Sequence, residues 1–145
     1  TFAGHNFLRG LSERHLMKLA SGVRPFTAQP GEYLAREGEV ARAFYLIQAG
    51  RAELGVQPPG KEMIAVQVVG PGDVVGWSWL VPPYLWQFSC RALEPVRGLC
   101  LDAQWLREQC EQDHELGYCF LKHLLGVFAE RLAATRRRLI DGKAR

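Results

Sequence analysis

Glycine and proline cut the chain between Val23 and Leu101 into short apolar runs, and this punctuation constrains the fold more than anything else in the sequence. Runs of strand composition fall at residues 23–27, 33–36, 44–49, 51–57, 63–69, 74–75, 88–93 and 96–101. In residues 51–57, Ala52, Leu54 and Val56 alternate with Arg51, Glu53 and Gln57, the period-two pattern of a half-buried strand. Pro58-Pro59-Gly60 supplies a hairpin turn, and Gly31, Gly38, Gly50, Gly70 and Gly72 mark corners where positive φ is expected. Many short strands spaced by turns predict a sandwich, a jelly roll or a small barrel. Periodicity leaves all three open.

Helical patterns flank this region. Residues 6–10 read as a single turn opened by Asn6 and closed by Gly10. Ser12 is a good N-cap, with Leu11 and Leu16 in the staple positions around it, for a helix running to about Ala20 and stopped by Gly22. Asp102 caps residues 103–111, and Asp113 caps a long helix, residues 114–140, ended by Gly142. Asp113 and Glu115 at its start and Arg136, Arg137 and Arg138 at its end suit the macrodipole. One domain over residues 1–145 is expected: N-terminal helices at 1–22, strands at 23–101 and helices at 102–141.

A hydrophobic share of 48% with 23% charged residues excludes a disordered chain. A net charge of +3 spread over mixed signs excludes a dense nucleic-acid face, and Arg136–Arg138 read as a solvated helix end. Cys90, Cys100, Cys110 and Cys119 form no C-x-x-C pair and have no histidine at zinc spacing, so they read as reduced, buried small hydrophobes and no metal is expected. No apolar run approaches the roughly 20 residues of a membrane span. A cytoplasmic protein is expected, with room for an upstream segment because the chain opens at Thr1 rather than Met.

Three segments carry a family resemblance: GEYLAREGE from Gly31, FYLIQAG from Phe44, and GDVVGWSWLVPPYLWQFSCRA from Gly72 to Ala92. Together they resemble the cyclic nucleotide-binding domain of the catabolite activator family of regulators and of cyclic-nucleotide-dependent kinases. The resemblance implies an α+β fold, an antiparallel double-stranded β-helix (a jelly-roll-like β-roll) flanked by N-terminal helices and a long C-terminal helix. It also implies a phosphate-binding cassette after Gly72-Asp73. In the family this reads roughly G-E-L-A-L, then P-R-A-A, where the Glu accepts from the ribose 2′-hydroxyl and the Arg pairs with the phosphate. Here Trp77 stands at the Glu position and Trp86 at the Arg position. Indole offers one neutral donor and no charge. A hydrogen bond to a charged group contributes about 1.5–3 kcal/mol net, so losing two costs roughly 3–6 kcal/mol, on the order of 10²–10⁴ in dissociation constant.

No cofactor is therefore expected, and binding of cyclic AMP or cyclic GMP is doubtful. The candidate pocket comprises Gly76, Trp77, Ser78, Trp79, Tyr84, Trp86, Arg91 and His123. Gly76 retains the backbone part of the cassette, with Ser78 as a helper. Arg91 is expected to face solvent, with phosphate pairing as the alternative. The aromatics either fill the pocket themselves or line it for a planar ligand.

The long helix is apolar over more than one stripe. The resemblance implies a homodimer through it, and the expected interface is Leu116, Phe120, His123, Val127 and Arg131. The alternative is that the other helices cover this surface. His123 is expected in core or interface, with a ligand contact as the lesser reading. Little sequence follows Ile140, so no DNA-reading module is expected in this chain, nor a membrane partner. His5, His15, His114 and His123 accompany no nucleophile motif, so no enzyme is expected. Two readings remain: an effector-sensing domain, or a ligand-free dimerisation or docking module.

Overall fold

The computed structural model of the chain describes residue 2 and residues 4–144, the last two by backbone alone. The domain limits expected at Thr1 and Arg145 lie outside the described residues. Eight strands form within a residue of the expected runs: β1 Val23–Ala28, β2 Tyr33–Ala35, β3 Ala43–Ala49, β4 Ala52–Val56, β5 Ile64–Val69, β6 Val74–Val75, β7 Ser89–Ala92 and β8 Val96–Asp102. They pair antiparallel in two four-stranded sheets, β1-β8-β3-β6 and β2-β7-β4-β5. The chain changes sheet at every step except the β4–β5 hairpin, and this winding selects the double-stranded β-helix over a plain sandwich or barrel. The hairpin turns at Pro58, whose carbonyl accepts from Lys61 N–H at 3.0 Å. Of the expected corner glycines, Gly31, Gly38, Gly50 and Gly72 take positive φ and Gly70 does not.

Around the roll lie a 3₁₀ turn at Asn6–Leu8, then α1 Glu13–Ala20, α2 Ala103–Gln112 and α3 His114–Ala144. Ser12, Asp102 and Asp113 cap their helices by accepting from His15 N–H, Trp105 N–H and Leu116 N–H. The opening turn is capped by His5 rather than Asn6, its ring Nδ1 accepting from Phe7 N–H at 3.2 Å. Gly22 follows α1 without positive φ. What requires glycine there is the Trp105 ring, 2.6 Å from where a Cβ would stand. Gly142 does not end α3, which continues through it to Ala144; glycine in an exposed helix interior costs only about 1 kcal/mol, too little to stop a helix.

Between the outer face of the β1-β8-β3-β6 sheet and α3 lies a cluster of rings. Phe7, Phe44 and Phe120 pack with centroids 5.1–5.2 Å apart, and Trp79 joins Phe44 and Phe120 at 6.0 and 5.6 Å. Tilted and edge-on contacts of this kind contribute beyond the burial of their area. The cluster corrects the expected interface. Leu116 and Phe120 are 0% and 1% exposed within their own chain. The two ring nitrogens of His123 lie 2.7 Å from the Cys119 and Arg9 carbonyl oxygens, each able only to accept, and its ring meets Phe7 edge-on. Val127 is half-buried against the core, and the Arg131 guanidinium donates to Val74 O. Leu116 and Phe120 are thus committed to the chain's own interior, and His123, Val127 and Arg131 are half-buried beside it. The opposite face of α3 carries Tyr118, Leu121, Leu125, Leu132 and Leu139, all exposed. No described helix is long and apolar enough to cross a membrane.

Candidate functional site

The cassette runs from the end of β6 to the start of β7. Gly76 takes φ +119°, a conformation L side chains rarely adopt, and turns the chain out of the sheet. No regular helix follows; one turn forms instead, with Leu80 N–H donating to Trp77 O at 3.0 Å. The indole N–H of Trp79 donates back to Gly76 O at 3.1 Å, and its ring is fully buried in the cluster beneath α3. Ser78 is buried too, its hydroxyl accepting from Gln87 N–H at 3.4 Å, so it ties the two ends of the cassette together. The second half of the cassette is fastened to the β2–β3 loop. Gly38 N–H donates to Trp86 O, Trp86 N–H to Glu39 O and Ala41 N–H to Tyr84 O, each at 2.8 Å.

Trp86 decides what the interior can hold. Its side chain is buried, and its ring packs on Gly76: a Cβ added to that glycine would meet Trp86 Cη2 at 3.1 Å and Cζ3 at 3.3 Å. The indole thus lies directly beside the Gly76 turn. Phe88 extends the packing at 5.7 Å from the Trp86 ring. Trp77, half-buried, faces the other way and meets Phe128 of α3 edge-on at 5.9 Å. Tyr84, at φ +61°, lies under Arg107 of α2, whose guanidinium stands 4.2 Å from the ring and donates to Trp79 O at 2.7 Å. The cassette is therefore anchored on both C-terminal helices.

The charges near it are distributed differently from expectation. Arg91 is solvent-facing, as expected, but paired rather than free, its side chain 38% exposed. It lies opposite Glu53 across the β4–β7 ladder, and its Nε donates to Glu53 Oε1 at 3.1 Å. That carboxylate neutralises it, and the pairing raises the Arg91 pKa. The cation the sequence reasoning missed is Arg131, assigned above to an interface. Its guanidinium donates to Val74 O, and among the described residues no carboxylate lies within 4.0 Å of it. Burial lowers its pKa, with Asp73 opposing the shift. Nearby, burial pushes the Cys90 thiol up to about 12, so it stays protonated and inert. The four cysteines are all free, and the described residues contain no cluster of metal-ligating side chains.

The eight residues expected to share a pocket are thus divided. Gly76, Ser78 and Trp86 pack together, Trp79 belongs to the helix-side core, and Trp77 and Tyr84 rest on α3 and α2. Arg91 is paired within a sheet and His123 is held against the N-terminal segment.

Residues 25–113, more than half of the chain, match the cyclic nucleotide-binding domain family. Over 137 residues the chain is 29% identical to the acetyltransferase Pat of Mycolicibacterium smegmatis, covering 94% of this chain and 37% of that protein. It is 25% identical over 133 residues to a CRP-like cAMP-activated global transcriptional regulator of Mycobacterium tuberculosis, covering 92% of this chain and 58% of that protein. The chain therefore spans well under two thirds of either relative. Among solved structures, a protein of Geobacter metallireducens GS-15 assigned to cyclic nucleotide binding superposes with a TM-score of 0.79 at 26% identity, over 88% of this chain and 92% of the other. The regulatory subunit of a cAMP-independent protein kinase A from Trypanosoma brucei superposes at 0.63 with 21% identity, over 77% and 45%.

Proposed function

The chain belongs to the cyclic nucleotide-binding domain family, and within that family we propose a regulatory, non-catalytic module whose state is not set by cyclic AMP or cyclic GMP. The observation that carries this reading is the Trp86 ring seated on Gly76. A phosphate at that turn has to expel the ring, and removing a large aromatic from a packed core costs about 3–5 kcal/mol. It gains neither of the cations the sequence offers, because Trp86 stands where the arginine would be and Arg91 is neutralised by Glu53. The kinase subunit of Trypanosoma brucei, described as cAMP-independent, is a precedent for this fold outside cyclic AMP control.

The output element is α3. Tyr118, Leu121, Leu125, Phe128, Leu132, Thr135 and Leu139 follow one another at spacings of three and four residues, the seam of a two-helix coiled coil. This outer face is the proposed self-complementary interface, and the Trp77–Phe128 contact links it to the cassette. One observation favours a second reading, a sensor of some other anion: Arg131 is a poorly hydrated cation with no carboxylate partner.

Calorimetric titration tests the main reading. Cyclic AMP and cyclic GMP should bind no tighter than roughly 100 μM. Trp77→Glu with Trp86→Arg should restore affinity only if the roll tolerates losing the indoles. A triple mutant of the trypanosome subunit, one of whose changes introduces an arginine, is described as bound to cAMP. Low-micromolar binding by the unmutated protein would sink the proposal.

A further inference from the structure

The β-roll has an open cleft away from the cassette turn. It measures about 490 Å³, within the size range of small-molecule sites, and lies between β2 and the loop that leads into β3. Tyr33, Arg36, Glu39 and Arg42 form its walls, with Tyr45 and Trp86 among them. Of the eight residues expected in the cassette pocket only Trp86 lines it.

Its walls carry two arginines, and neither is in an ion pair among the described residues. Arg14 pairs with Asp113, Arg51 with Glu94 and Arg91 with Glu53. Arg36 and Arg42 have no carboxylate within 4.0 Å among the described residues, although Glu37 and Glu39 are close in sequence. The Arg36 guanidinium lies 3.9 Å from the Tyr33 ring centroid. Stacking of this kind fixes the plane of the fork while leaving its N–H edges free for an anion. The stacked fork of Arg36 and the unstacked one of Arg42 in one cleft fit a dianion, and arginine with phosphate gives the strong, two-pronged form of that contact. Burial raises the Tyr45 pKa and keeps its hydroxyl a donor.

The remaining lining is flat and aromatic. Tyr45 and the Tyr33 ring, one face of it under Arg36, line the cleft above the buried Trp86, and Glu39 is the one acid in the lining. From the two unpaired arginines beside three rings, we propose that this cleft binds a small aromatic phosphate monoester. A cyclic phosphodiester, with one negative charge, satisfies only half of the arginine pair. Trp86 lines the cleft and also rests on Gly76, so an occupant of the cleft is felt at the cassette turn. The proposal goes beyond the reading above and does not depend on it.

Phenyl phosphate is the probe, followed through the indole N–H resonances of ¹⁵N-labelled protein, in which Trp77, Trp79, Trp86 and Trp105 report separately. The expected result is a saturable shift of Trp86 that exceeds that of Trp105. Arg36→Gln and Arg42→Gln should each weaken binding at least about tenfold, a loss typical of one charge-assisted contact. Both side chains are exposed, so the remaining resonances should not move. Inorganic phosphate should bind more weakly than the phenyl ester, and equal affinity would overturn the aromatic assignment. No saturable Trp86 shift, or unchanged affinity in both arginine variants, would overturn the site. Cyclic AMP binding that survives the double arginine variant would reject the preceding functional reading and leave this one standing.

Discussion

The two faces of α3 have nearly the same composition and opposite fates. On one, Leu116, Phe120 and Leu124 are at most 2% exposed; on the other, Tyr118, Leu125 and Leu139 are 63–65% exposed. The inner face meets Phe7, Phe44 and Trp79, whereas on the outer face Phe128 meets Trp77 and Tyr118, Leu125 and Leu139 stay exposed. Apolar character on a helix therefore says that a surface must be covered without saying by what. The N-terminal turn and the cassette, both remote in sequence, cover the face that the sequence pattern assigned to a partner.

The strongest way to break this comparison is truncation of the inner face. Phe120→Ala should cost about 3–5 kcal/mol in urea unfolding, because three rings lose a neighbour at once. A loss under 1 kcal/mol would mean the cluster is not a packed core. One substitution made on both faces sharpens the contrast. A Cβ at Gly117 would stand 3.0 Å from the Cys110 backbone carbonyl, whereas at Gly126 nothing lies within 4 Å. Gly126→Ala should stabilise by roughly 0.5–1 kcal/mol through helix propensity. Gly117→Ala should instead destabilise, by about 1 kcal/mol, as overpacking at the α2–α3 contact outweighs the same propensity gain.

On the outer face, Leu125→Asp should change monomer stability by no more than about 0.5 kcal/mol. If the seam pairs two copies, light scattering at tens of micromolar should show the unmutated dimer falling to monomer in this variant. A monomeric unmutated protein would remove the interface. The smallest expected effect lies at His5, which fastens the N-terminal cover through Ile47 O at 2.9 Å and through Phe7 N–H. Burial lowers its pKa, with the hydrogen bond to Ile47 and the charge of Asp73 opposing. The unfolded chain therefore takes up the proton first. Stability from this group is present above its ordinary value near 6.5 and lost as pH falls through that range. The urea midpoint should drop from pH 8 to pH 5, and His5→Asn should flatten the drop.

Much of the roll was legible because it depends on neighbours in sequence. Gly and Pro interrupt the runs that became β1 to β8, and Ser12, Asp102 and Asp113 cap helices through N–H groups three residues away. The cassette was legible as a pattern, including the two tryptophans where a carboxylate and a guanidinium would stand. Its contents were not. Arg91 finds Glu53 across a ladder, Gly22 answers to Trp105, and Arg131 turns inward to Val74 O. Each of these pairings joins residues dozens of positions apart. Local spacing determined the strands and the caps, since those follow from residue type and short-range geometry, and the family resemblance set Trp77 and Trp86 at the Glu and Arg positions. Only the tertiary structure decided which rings fill the core, which arginines stay unpaired and which face of α3 remains open, because burial and charge pairing are set by whatever distant segment arrives alongside.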